Sequence, residues 1–70
     1  MMPLINYMYH SVIIQTKDGR TIAGVVNSYE NAVENDNQSD MISIDYGRWN
    51  ECVFEDEIES IEITGELDND

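Results

Sequence analysis

From Ser11 onward the apolar residues of this chain recur at every second position, in short runs broken by glycine, and that pattern limits it to one kind of structure. Val12, Ile14 and Thr16 share one side of an extended segment while Ile13 and Gln15 take the other. A period of two belongs to strands. Lys17-Asp18-Gly19-Arg20 follows, an Asp-Gly turn that predicts a hairpin. The second strand, Thr21 to about Tyr29, sets Ile22, Gly24, Val26 and Ser28 on one side and Ala23, Val25, Asn27 and Tyr29 on the other. Both sides hold apolar groups, and Gly24 in the interior predicts a sharp bend or a close backbone approach. Glu30 to Asp40 is polar and reads as an exposed loop. Met41 to Tyr46 alternates again, with Ile42, Ile44 and Tyr46 against Ser43 and Asp45, and Gly47-Arg48 turns the chain into Trp49 to Phe54. In that strand Trp49, Glu51 and Val53 oppose Asn50, Cys52 and Phe54, so the pattern leaves its inward side open. A sharp turn at Glu55-Asp56-Glu57 leads to a last strand ending near Ile63.

Before these strands, Met2 to Tyr9 carries no charge, and Leu4 and Met8 at i, i+4 with Ile5 beside them predict a short docked helix, with Pro3 in its first turn. The chain has 70 residues, enough for one core. A short N-terminal helix and about five short antiparallel strands point to a mainly β protein, a small closed or nearly closed barrel, since closure removes the exposed edges of a flat sheet. One domain over residues 1–64 is expected, with an acidic frayed tail at 65–70.

Charge and cysteine count narrow the function. Three Lys and Arg against 15 Asp and Glu give a formal net charge of -12, which opposes unaided binding to nucleic acid or anionic membrane. The longest aliphatic run, Val12-Ile13-Ile14, is far short of the roughly 20 apolar residues that span a bilayer. No membrane association is expected, and Cys52, alone, fits a reducing compartment such as the cytoplasm, or the host cytoplasm for a viral protein. One Cys and one His, with no spacing that nucleophilic catalysis requires, read as a non-enzyme without cofactor or metal. Cys52 is expected as a small buried residue and His10 at the surface or at a cap. The acid-rich stretch Glu34, Asp36, Asp40 lacks the glycine and terminal Glu of a calcium loop and reads as solvated. Most of Trp49, Tyr46, Phe54 and Tyr29 should be needed in so small a core.

The order of helix, bent β-meander and short last strand resembles the Sm-like family, whose barrel is also SH3-like. Gly19-Arg20-Thr21-Ile22-Ala23-Gly24-Val25-Val26-Asn27-Ser28-Tyr29-Glu30 is similar to its first signature: Gly, a basic residue, an apolar residue, a second Gly, then an aromatic before an acid. Val33 falls on the family's large apolar position and Glu34 where the family places an RNA-contacting Asn, with Asn35 next to it. The second signature keeps its apolar spacing at Val53, Ile58 and Ile61, with Phe54-Glu55 in place of Arg-Gly. In this divergence the chain is similar to short Sm-like proteins of phage origin. The resemblance implies a homo-oligomeric ring in which the fourth strand, about Trp49–Phe54, pairs with the fifth, about Glu59–Ile63, of the next copy. It also implies a role in RNA or DNA binding and processing.

Candidate nucleic-acid contacts are Tyr29, Asn31, Asn35 and Asn37 from the long loop, with Arg48 as a basic helper. The plain reading is a half-buried tyrosine and asparagines suited to a turn. Charge suggests a different partner. Glu55, Asp56, Glu57, Glu59 and Glu62 form an acidic stretch that suits a basic protein, as an interaction module or a mimic of nucleic-acid charge. Phe54-Glu55 and Glu34 both favour that alternative over RNA.

Overall fold

A computed structural model describes residues 1–35 and 39–65. Five strands, β1 (Ser11–Thr16), β2 (Thr21–Glu30), β3 (Met41–Asp45), β4 (Asn50–Phe54) and β5 (Ile58–Ile63), form one antiparallel sheet in the order β4-β3-β2-β1-β5. The alternation seen in the sequence is the alternation of burial. Val12, Ile14 and Thr16 of β1 point inward, and Ile22 and Val26 of β2, Ile42 and Ile44 of β3, Val53 of β4 and Ile58 of β5 meet them in one core.

β2 is the long member and serves two neighbours in turn. Residues Thr21 to Val25 pair with β1, and Val25 to Glu30 pair with β3. The changeover falls at Val25, and at its neighbour Gly24 an added Cβ would stand 2.6 Å from the Asp45 carbonyl oxygen and 2.6 Å from Ile44 Cγ2. The close approach expected of this glycine is therefore real, and it folds the sheet toward itself. The Asp18-Gly19 turn is likewise as expected, with Gly19 at φ +93.

Three expectations change. The sheet curls but does not close into a barrel: β4 and β5 are its two edges. Among the described residues β5 pairs with β1 and with no second strand, and β4 with β3 alone. Ile61 and Ile63 pair with Ile14 and Val12, so β5 is drawn to β1, and a 3-10 turn at Glu55–Glu57 carries the chain round the corner. The N-terminal helix is a 3-10 turn over Leu4–Tyr7. Its threefold repeat puts Leu4 and Tyr7 on one side, and these two are buried where Leu4 and Met8 were expected, while Ile5 is exposed. Finally, a register shift between Val26 and Ser28 puts Tyr29 opposite Ile42, on the inner side and packed against the core. One extra residue in a strand reverses every side chain beyond it.

The aromatic residues are also placed differently. Tyr7 is the aromatic of the core, whereas Trp49 is 64% exposed, Tyr46 is exposed and Phe54 is half-buried on the outer side. Cys52 is exposed, because it shares that outer side and Val53 takes the inward place. His10 is half-buried, and its Nδ1 atom is enclosed without a hydrogen-bond partner. Its backbone carbonyl accepts from Val26 N at 3.0 Å, while Tyr9 N donates to Val26 O at 2.7 Å, so the segment is held against β2 from outside the ladder.

Candidate functional site

Three places collect side chains with chemistry: the β2–β3 connection, the corner between β4 and β5, and the seam where the first hairpin meets β4.

At the β2–β3 connection a single helical turn, α1 (Ala32–Asn35), follows directly on β2. Asn31 Oδ1 accepts from Glu34 N at 2.9 Å and Glu34 Oε1 accepts from Asn31 N at 3.1 Å. This reciprocal pair satisfies the open N–H groups of the turn. Tyr29 donates its hydroxyl to Asp40 Oδ2 at 2.9 Å, and Asp40 Oδ1 accepts from Ala32 N at 3.0 Å. The hydroxyl's bond to Asp40, together with burial and the nearby charges of Asp40, Glu34 and Glu55, holds the phenol above its usual pKa.

Of the candidate nucleic-acid contacts, Tyr29 and Asn31 thus lie together, each engaged within the fold. Asn35 closes α1, and Asn37 lies outside the described residues, as does Asp36 of the candidate calcium loop. Arg48 is not brought to them. Tyr29 pairs with Ile42 at the start of β3, and Arg48 sits in the turn beyond its far end. Val33, at the family's large apolar position, is 91% exposed. Among the described residues no group of His, Cys, Asp and Glu side chains is placed to hold a metal ion, and no helix is long and apolar enough to cross a membrane.

The acidic stretch spans the corner and the last strand. Glu55, Asp56 and Glu57 form the 3-10 turn, Glu59 sits at the bulge where β5 meets the end of β1, and Glu62 faces outward opposite Ile13. The turn is anchored by Glu55 N to Asp40 O at 2.8 Å and by Lys17 N to Glu57 O at 2.9 Å. Glu57 Oε1 accepts from Phe54 N at 3.1 Å. The carboxylates of Asp56, Glu59 and Glu62 are left to solvent.

The seam holds a cluster that no local spacing announces. Arg20 reaches across to β4 and donates to both carboxylate oxygens of Glu51, at 2.8 and 2.7 Å, while the Tyr46 hydroxyl donates to Glu51 Oε1 at 2.6 Å. Arg20 and Glu51 are 31 positions apart, so the tertiary fold and no local spacing brings them together. Beside them is a cavity of about 280 Å³ lined by Lys17, Asp18 and Arg20 from the first turn and by Glu51, Asp56 and Glu57. The Asp18 carboxyl is held below its usual range mainly by the Thr16 hydroxyl that donates to it.

The Tyr46 and Arg20 hydrogen bonds likewise hold the Glu51 carboxyl below its ordinary pKa. Their stabilising contribution is full above the unfolded value and fades as pH falls through the lowered native one. Arg20→Ala is expected to lower the urea midpoint modestly at neutral pH, since both side chains are partly exposed, with the difference shrinking at acid pH as Glu51 takes up its proton. Equal losses at neutral and acid pH would show that the bond to Glu51 is not what Arg20 contributes.

No family model matches this chain, and no curated protein or solved structure shows significant similarity to it.

Proposed function

We propose that this chain is an Sm-like protein whose copies join head to tail into a ring, the β4 edge of one meeting the β5 edge of the next. The observation that carries the reading is the strand order β4-β3-β2-β1-β5. It leaves each of the two strands that the resemblance makes the joint with one free edge. Each free edge offers a row of unpaired N–H and C=O groups, and a heterologous contact between two different edges closes into a ring when the rotation per copy allows it. The bent β2, with Gly24 against Asp45 and Ile44, supports the same family reading through its first signature.

The ligand of the ring follows from charge. Around the Tyr29 hydroxyl stand Asp40, Glu34 and Glu55, and each copy adds a net charge of -12. These carboxylates oppose phosphate and suit a basic protein docked on Glu55, Asp56, Glu57, Glu59 and Glu62. The ring is therefore read as an acidic binding platform without catalysis of its own.

Sedimentation of the full chain across ionic strength tests assembly, and light scattering with short RNA tests the ligand. Salt should shift the mass upward, because screening relieves the repulsion between copies, and oligo-U or oligo-A should add no mass. A monomer at every salt concentration would overturn the ring, and stable uptake of RNA would overturn the ligand assignment.

A further inference from the structure

We infer, resting on that ring reading, that Trp49 is the anchor of the joint: its indole leaves water by packing on Ile63 of the neighbouring copy. Trp49 stands immediately before β4 and is 64% exposed. At the other edge of the same sheet, the final residue of β5, Ile63, is 39% exposed. Large exposed aromatic groups are costly to leave in water, and tryptophan is among the residues that most often dominate a protein–protein contact.

The two side chains belong to the same side of the sheet. Glu51 and Val53 pair with the buried Ile44 and Ile42, so this side of β4 faces inward, and Trp49, whose carbonyl accepts from Tyr46 N at 3.0 Å and so carries the pairing one residue past the strand, continues that alternation. Ile61 and Ile63 pair with Ile14 and Val12, both buried, so they lie on the inner side of β5. A sheet that continues across the joint keeps inner with inner.

Direction is settled by what each end offers. Parallel pairing would bring Trp49 toward Ile58, which is already 4% exposed in its own core, and toward Glu59. Antiparallel pairing, the rule between every neighbouring pair in this sheet, brings it to Ile63. Antiparallel registers spaced two residues apart all match the faces, and two neighbouring ones bring Trp49 beside Ile63. One sets Trp49 directly opposite Ile63; the other sets Val53 opposite Ile61 and Glu51 opposite Ile63, with Trp49 diagonal to Ile63. Opposite pairs lie about 5 Å apart and diagonal ones about 7–8 Å, within reach of an indole.

Trp49 is the chain's one tryptophan, so its fluorescence reports the joint without any substitution. Emission should move to shorter wavelength with rising protein and salt concentration, in step with the mass read by sedimentation. Trp49→Ala should raise the concentration needed for assembly about tenfold or more while leaving the far-ultraviolet circular dichroism of the monomer unchanged, since the side chain it removes is exposed. If mass rises while the emission stays that of a solvated indole, or if Trp49→Ala assembles like the parent, the anchor is wrong and the ring stands. If mass never rises, the ring itself is wrong and the anchor with it.

Discussion

Gly24→Ala is expected to cost about 2–3 kcal/mol of stability, as overpacking of a filled site does, and Gly24→Val to abolish the cooperative transition. The new Cβ would lie 2.6 Å from both the Asp45 carbonyl oxygen and Ile44 Cγ2, closer than carbon atoms approach either group. A side chain sometimes rotates away, but a backbone oxygen in a ladder moves only with its strand. Here that strand is β3, whose Asp45 is held in register by Val25 on one side and Asn50 on the other. Ile44→Ala in the same molecule should therefore fail to rescue Gly24→Ala, although it removes one of the two clashing atoms. A small domain of this size has roughly 3–5 kcal/mol in hand, so the single alanine removes a large share of it. Gly65→Ala is the control, because its Cβ would be no closer than 3.7 Å to Ser11. Urea unfolding followed by circular dichroism gives both midpoints, and equal midpoints for the two variants would mean that β2 and β3 do not meet so closely at Gly24.

The same glycine marks how far the residues disclose the fold. Alternation and turn chemistry are local, and they locate all five strands to within a residue or so, the Asp18-Gly19 hairpin and the corner at Glu55–Glu57. Gly24 is legible because a glycine weakens the interior of an apolar strand, a cost that a bend or a close backbone approach offsets. The bulge between Val26 and Ser28 is not legible, since Asn27 and Ser28 look alike on either side of a strand, and so Tyr29 changes sides. The inward side of β4 turns on Val53 against Phe54 and Cys52, a choice made by the buried Ile42 opposite Val53. The Arg20–Glu51–Tyr46 cluster is further out of reach, for it joins the first turn to β4 and exists only once the sheet has formed. Trp49 misleads for a related reason. Size argues for the core, but the place of Trp49 outside β4 leaves it in solvent in the protomer.

Ile14→Ala should cost about 2–5 kcal/mol and leave the protein largely unfolded at room temperature, whereas Ile63→Ala should cost the monomer well under half as much. By sequence the two residues are equivalent, each an isoleucine on the same side of a strand in an alternating run. Position separates them. Ile14 is fully buried in β1, flanked by Ile22 on β2 and Ile61 on β5, so its removal opens a cavity between both halves of the sheet. Ile63 closes the last ladder pair, against Val12, with 39% of its surface in water, and water fills the place of the methyl groups it loses. The comparison is made at low protein concentration and low salt, where self-repulsion keeps copies apart and unfolding reports the protomer alone. Under assembling conditions the order of the effect changes, because Ile63 is then expected to lie beneath Trp49 of the neighbour and Ile63→Ala to weaken the assembly. A monomer destabilised as strongly by Ile63→Ala as by Ile14→Ala would place Ile63 in the protomer's own core and remove the surface on which Trp49 is held to dock.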